Sequence, residues 1–258
     1  DGEDAVIGAA DVLVASTDDE FRQLTWLYGA AQDRLKTIHP GVDHDAFHPG
    51  PRTEARAEIG LGDEAVLVYA GRIQPLKGID LAIRAVEQLV PTLHREVVLL
   101  VVGGASGSGG DRELARLGRL ARDLGIERNV RFAGPHPHGR LPTFYRAADL
   151  VVVCSHSESF GLAALEAHAC GIPVVGTAVG GLSHILRDGE SGYLVDSRDP
   201  AVFAARAKTL LADDELRARF GVAAARRSRR FSWTSTAGSF LALYECLASE
   251  RLPEVCTC

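Results

Sequence analysis

Residues Ala147-Ala148-Asp149-Leu150-Val151-Val152-Val153 form a near-continuous apolar run rather than an alternating one, and that pattern narrows the fold more than any other. An alternating run buries one face of a strand, whereas a continuous one belongs to a parallel strand covered on both faces by helices. The run stops at polar Ser155, His156 and Ser157, and from Gly161 the chain turns to the Leu and Ala of a helix. The same alternation recurs throughout. Strands are expected at 11–16, 35–39, 65–71, 96–103, 130–133 and 173–177, and helices at 18–28, 80–89, 112–124, 141–147, 200–212, 214–227 and 233–248. The expected fold is α/β, a doubly wound parallel sheet of the Rossmann-like kind. Pro, Gly and His crowd residues 40–52, which reads as an interdomain linker.

Ligands of open parallel sheets bind beyond the carboxyl ends of the strands, and each polar motif of this chain falls at such an end. In Ser157-Glu158-Ser159-Phe160-Gly161-Leu162-Ala163-Ala164-Leu165-Glu166, Glu158 precedes the helix and Glu166 lies more than one turn inside it, its side chain directed back toward the N-terminus. A carboxylate accepts from two vicinal hydroxyls, so one of the pair suits a sugar and the other a ribose, with a phosphate between them at the N–H groups of Phe160, Gly161 and Leu162. Out of context the two are equally an exposed helix residue and a loop charge. Gly71-Arg72 ends an earlier strand and Lys77 follows five residues on. Two cations there suit a diphosphate, because both stay charged and offset the charge that grows on a departing phosphate, although the pair taken alone also reads as ordinary exposed loop charges.

Other motifs carry less. The glycines of Gly103-Gly104-Ala105-Ser106-Gly107-Ser108-Gly109-Gly110 miss the Gly-x-Gly-x-x-Gly spacing and no Walker lysine follows, so a turn is the better reading than a dinucleotide site. Gly180-Gly181 precedes a short helix at 182–187, a second helix N-terminus for the same side. Arg226-Arg227-Ser228-Arg229-Arg230 reads as a solvated helix face, and His136, His138 and His156 as solvated loop histidines.

With 258 residues, 46% hydrophobic and 24% charged, the chain can bury a substantial core. A net charge of −6 argues against a nucleic-acid partner. No apolar run reaches transmembrane length and no signal peptide is evident, which leaves a soluble protein, and the cysteine usage fits a reducing cytoplasm best. The five cysteines are odd in number and scattered, so no disulfide framework is implied, and Cys256-Thr257-Cys258 lacks the second pair that a metal site needs. The chain has no methionine and begins Asp1-Gly2-Glu3, which reads as a piece of a longer polypeptide.

Gly71-Arg72 with Lys77, the Glu158-x7-Glu166 element and Ala169-Cys170-Gly171-Ile172-Pro173-Val174-Val175 together resemble the donor-binding half of the family 4 retaining glycosyltransferases of the GT-B fold. The match covers nearly the whole chain. His39-Pro40-Gly41-Val42-Asp43, Gly103–Gly107 and Tyr145-Arg146-Ala147-Ala148-Asp149 are most similar to the branch that glycosylates inositol 3-phosphate in mycothiol biosynthesis. The resemblance implies a remnant of the N-terminal acceptor domain and linker over 1–50, a nucleotide-sugar domain over 51–230, and a crossover helix and tail over 231–258. The rest of the N-terminal domain would lie upstream, and the isolated chain would bind donor but transfer poorly.

The resemblance also implies roles. Arg72 and Lys77 would bind the diphosphate beside Gly71, Glu166 the ribose and Glu158 the transferred sugar, with Phe160, Gly161 and Leu162 nearby and the base near His136. The donor would be a UDP-sugar such as UDP-GlcNAc. No cofactor would be needed for catalysis, though some relatives hold a peripheral magnesium on main-chain groups matching Tyr145, Arg146 and Ala148. Two departures stand out: Ile172 replaces the usual threonine and Cys154 the usual proline. Two rival readings stay open, a mannosyltransferase with a lipid-linked acceptor at the membrane periphery and a nucleotide-sugar-binding module without turnover. A homodimer is compatible with either.

Overall fold

The computed structural model describes residues 2–249, so Cys256-Thr257-Cys258 lies outside the described residues. Contacts divide the chain into two units, one made of residues up to Asp43 together with those from Arg230 onward, the other of His44–Arg229. The first unit opens with α1 (Gly2–Ala9), β1 (Leu13–Ala15), α2 (Asp18–Tyr28) and β2 (Leu35–Thr37), with β1 and β2 parallel. Local chemistry sets α2: the Thr17 hydroxyl accepts the Glu20 N–H at its start, three acidic residues fill its first turn, and Gly29 takes a left-handed conformation at its end.

The second unit runs α3 (Arg52–Glu58), β3 (Ala65–Ala70), α4 (Ile79–Leu89), β4 (Val97–Val102), α5 (Gly110–Asp123), β5 (Val130–Gly134) and α6 (Leu141–Ala147). It continues through β6 (Leu150–Val153), α7 (Leu162–Ala169), β7 (Val174–Thr177), α8 (Leu182–Ile185), β8 (Gly192–Val195), α9 (Pro200–Leu211) and α10 (Asp214–Ser228). Its six strands are all parallel, in the order β5-β4-β3-β6-β7-β8. This is the doubly wound sheet that the apolar runs predict. Helices α1 and α3 and strand β8 are additions to the sequence reading. Last comes α11 (Trp233–Ala248), which belongs to the first unit: the Thr236 hydroxyl donates to the His39 carbonyl at 2.7 Å, and Gly41 lies so close to Ser232 that a Cβ would meet its carbonyl carbon at 2.1 Å.

Burial on both faces explains the unbroken apolar strands. All six residues of β3 are buried. Ala65, Leu67 and Tyr69 pack with Ile79, Ile83 and Val86 of α4, Leu117 of α5 and Phe203 and Leu210 of α9, while the intervening Val66 and Val68 point to the other face, where α6 approaches. A Val or Leu buried this way contributes about 1.5–3 kcal/mol.

Asp149 interrupts the apolar run for a reason. Its carboxylate has no exposure and accepts the Val66 N–H at 2.8 Å, with Arg52 at 2.5 Å, Arg56 at 3.0 Å, and Arg95 and Arg217 at 3.4 Å. The hub sits at the amino ends of β3 and β6, away from the ligand-bearing loops, and Arg217 also pairs with exposed Asp214 at 2.6 Å. A buried charge persists only with such compensation. Cys154 and Cys170 are buried free thiols.

Candidate functional site

Strand β3 is flanked by β4 on one side and β6 on the other. The chain therefore winds outward in one direction from β3 and in the other from β6, and the loops after these two strands diverge around a crevice at the carboxyl edge. Lys77 comes from the first loop and Glu158 from the second. Their side chains meet at 2.7 Å, 19% and 17% exposed. Glu158 Oε2 also accepts the Ser155 hydroxyl at 3.0 Å. Thus 81 residues of sequence separation close into one ion pair because β3 and β6 are neighbours. Arg72 stands exposed on the first loop, its carbonyl accepting the Tyr69 hydroxyl at 2.8 Å.

Glycine lets these loops approach. Gly103 and Gly71 both have φ of 150°, and a Cβ on Gly103 would lie 1.8 Å from the Gly71 carbonyl oxygen. The glycine-rich segment after β4 is thus the turn expected of it, with Gln74 Nε2 donating to the Ser106 carbonyl at 3.4 Å. Gly180-Gly181 plays a part the sequence reading did not give it. At Gly180 (φ 48°) a Cβ would meet the Glu158 carbonyl oxygen at 1.9 Å, and the Gly181 N–H donates to that oxygen at 2.9 Å. The pair clasps the Glu158 loop from behind.

Glu166 lies within α7 with its side chain 12% exposed. Its Oε2 accepts the Tyr145 hydroxyl at 2.7 Å and its Oε1 contacts His138 Nε2 at 2.7 Å. Burial, with Glu166 beside it, raises the Tyr145 hydroxyl well above its ordinary pKa, so it remains a donor. The Phe47 ring packs at 5.0 Å from the His138 ring and 6.1 Å from that of Tyr145. Glu166 is therefore not the plain helix-surface charge that the bare spacing allows.

The three loop histidines are all engaged rather than simply solvated. His136 packs on Phe144 with ring centroids 4.6 Å apart, His138 meets Glu166, and His156 Nε2 lies 3.1 Å from Arg198. Arg198 also donates to the Cys154 carbonyl at 2.7 Å, and the His156 N–H donates to the Leu76 carbonyl at 2.9 Å. The loops that carry Lys77 and Glu158 are thereby braced by a residue following β8. Phe160 is buried, Gly161 has φ of 102° at the start of α7, and Leu162 is 43% exposed. In the basic run, Arg227 turns inward to the His184 and Ile185 carbonyls, while Arg226, Arg229 and Arg230 are exposed.

Around the main-chain positions nominated for a peripheral cation, the Tyr145 carbonyl accepts the Ala148 N–H at 3.0 Å, and Arg146 donates to the Ala46 and His48 carbonyls at 2.9 Å. Among the described residues, no group of three or more His, Cys, Asp or Glu is placed to hold a metal ion, so these atoms offer a cation only backbone oxygens. A groove of about 510 Å³ beside α2, lined among others by Asp19, Arg22 and Trp26, shares no residue with the Lys77–Glu158–Glu166 group.

The family model for "Glycosyl transferases group 1" matches residues 51–227. The chain belongs to the group 1 glycosyl transferases. It is 47% identical to D-inositol 3-phosphate glycosyltransferase 2 of Catenulispora acidiphila, over 99% of this chain and 61% of the relative. Identity is also 47% to D-inositol 3-phosphate glycosyltransferase of Acidothermus cellulolyticus, over 97% of this chain and 56% of the relative. The chain thus spans about three-fifths of the length of the curated relatives it matches. Among solved structures, sucrose-phosphate synthase of Thermosynechococcus elongatus is 32% identical with a TM-score of 0.88, over 96% of this chain and 61% of that one. Anabaena Alr3699/HepE, solved in complex with UDP, is 25% identical with a TM-score of 0.84, over 95% and 65%. These neighbours share the GT-B fold of group 1 transferases. Among the described residues no helix is long and apolar enough to cross a membrane.

Proposed function

We propose that the complete protein transfers a sugar from a UDP-sugar donor, UDP-GlcNAc being the first to test, to a hydroxyl of inositol 3-phosphate with retention of configuration, and that this chain supplies the donor-binding half. The names of the curated relatives support the acceptor, and the UDP complex of Alr3699/HepE supports the nucleotide. The observation that carries the reading is the convergence of Lys77 and Glu158 at the strand-order reversal, with Glu166 on the helix that follows.

In this proposal Arg72 and Lys77 take the diphosphate. Lys77 exchanges Glu158 for phosphate oxygens, and both cations stabilise the charge that builds as the glycosidic C–O bond breaks. Glu158, freed from Lys77 but still bonded to Ser155, accepts hydroxyls of the transferred sugar and orients it. The acceptor oxygen bonds to the anomeric carbon on the face the phosphate leaves, and its proton passes to a departing phosphate oxygen. Glu166 accepts the ribose hydroxyls, and the base lies near His136 where that ring packs on Phe144.

Calorimetric titration of the chain with UDP, GDP and ADP tests the donor half, alongside Arg72→Ala and Glu166→Ala. Selective UDP binding weakened by both changes supports it. A folded chain that binds none of the three, or transfers to inositol phosphate unaided at a rate matching a full-length relative, refutes the division of labour.

A further inference from the structure

We infer that His138 is a positioning residue which, together with Tyr145, sets Glu166 to accept two hydroxyls at once and so makes the site selective for the vicinal diol of a ribonucleotide. The inference rests on the proposed donor site. An ionised carboxylate offers about four acceptor positions, two on each oxygen, and no donor. His138 Nε2 must therefore carry the proton in its 2.7 Å contact with Oε1, as the Tyr145 hydroxyl does in its 2.7 Å bond to Oε2. One position on each oxygen is filled, and one on each remains.

Two donors also fix orientation. Tyr145 alone, fully buried on α6, pins one oxygen and leaves the carboxylate plane free to turn about its terminal bond. A second donor on the other oxygen removes that freedom, so the carboxylate plane is fixed, and its 12% exposure leaves an edge at which ligand hydroxyls can reach the remaining acceptor positions. His138 is itself held: its ring lies 5.0 Å from that of Phe47, and the short turn it begins is closed by the Arg140 N–H on the Pro137 carbonyl at 2.9 Å. A vicinal diol fills both remaining positions, whereas a 2′-deoxy sugar fills one and leaves the other oxygen under-satisfied in a poorly solvated corner.

The experiment titrates the chain with UDP and 2′-deoxy-UDP as wild type, His138→Ala, His138→Gln and Glu166→Ala. His138 is 66% exposed, so its replacement spares the core. The wild type is expected to prefer UDP, and Glu166→Ala to lose the preference. His138→Ala is expected to cut the ribo-to-deoxy ratio by about three- to tenfold, the size of one charge-assisted hydrogen bond's orienting effect, and His138→Gln, which keeps an N–H donor, to restore part of it. A role confined to the shape of the turn would weaken both nucleotides alike and leave the ratio unchanged, which overturns the inference. Tighter UDP binding by His138→Ala also overturns it, since His138 would then compete with the ribose. If Glu166→Ala leaves UDP affinity and preference intact, or no form binds nucleotide, the donor site itself is wrong and the inference falls with it.

Discussion

His168 gives the protein a pH dependence whose sign and size follow from its burial. It lies on α7, two residues beyond Glu166, with no exposure and no hydrogen-bond partner for either ring nitrogen. Burial pushes its pKa down to about 3, outweighing the Ser191 backbone, which favours the charged form, and Arg227 adds to the opposition to protonation. In the unfolded chain the imidazole titrates near its ordinary 6.5. Between those two values the unfolded state binds a proton that the folded state refuses, so stability rises with pH across the window and falls as the medium is acidified through 6.5. From pH 7.5 to pH 5 the loss amounts to about 2 kcal/mol, approaching about 1.4 kcal/mol for each further pH unit down to the folded value. That is a sizeable part of the roughly 5–15 kcal/mol that holds a domain together.

Urea unfolding at pH 7.5 and pH 5, on wild type and His168→Leu, measures this. The other ionisable groups are common to both proteins, so the difference of differences isolates His168. We expect the variant to be neutral or about 1 kcal/mol more stable at pH 7.5, because it removes a buried polar ring that is poorly satisfied, and to lose about 2 kcal/mol less than wild type on acidification. Equal losses in the two proteins, or an imidazole resonance titrating near 6.5 in the folded state, would refute the reasoning.

Other perturbations probe other parts of the molecule. Gly180→Ala should reduce UDP affinity at least tenfold while leaving secondary structure intact, because its Cβ would lie 1.9 Å from the Glu158 carbonyl and the backbone strain alone is of order 1–3 kcal/mol; calorimetry with circular dichroism reads both effects. Lys77→Ala should weaken UDP more than uridine, with the UDP affinity of wild type falling as salt rises; equal effects on the two ligands would remove Lys77 from the diphosphate. Arg56→Ala should cost about 3 kcal/mol in urea unfolding, since it strips a 3.0 Å partner from a carboxylate with no exposure and leaves the Ala147 carbonyl without its donor. Leu67→Ala, in the centre of β3, should cost about 2–5 kcal/mol.

The sequence by itself determined the class of fold. Strands such as Val97–Val102 are legible because a strand covered on both faces has no polar side to interrupt it, and helices such as α2 because caps and acidic first turns are local chemistry. Strand β8, Gly-Tyr-Leu-Val at the sheet edge, is short and half-buried, and α3, Arg-Thr-Glu-Ala-Arg-Ala-Glu, shows no apolar stripe; α3 is fastened instead by Arg52 and Arg56 reaching Asp149, about ninety residues away. Glu158, Glu166, Arg72 and Lys77 could be nominated because each stands at a strand end or on the helix that follows. What they do to one another could not. Lys77 meets Glu158 only because β3 and β6 are neighbours, Tyr145 and His138 reach Glu166 only because α6 and the turn before it lie beside α7, and Gly180-Gly181 clasps Glu158 from a later loop. Periodicity and caps act over a turn or two of chain and are written in the sequence, whereas the partner of a charge is set by strand order and layer packing, which exist only once the sheet has closed around its core.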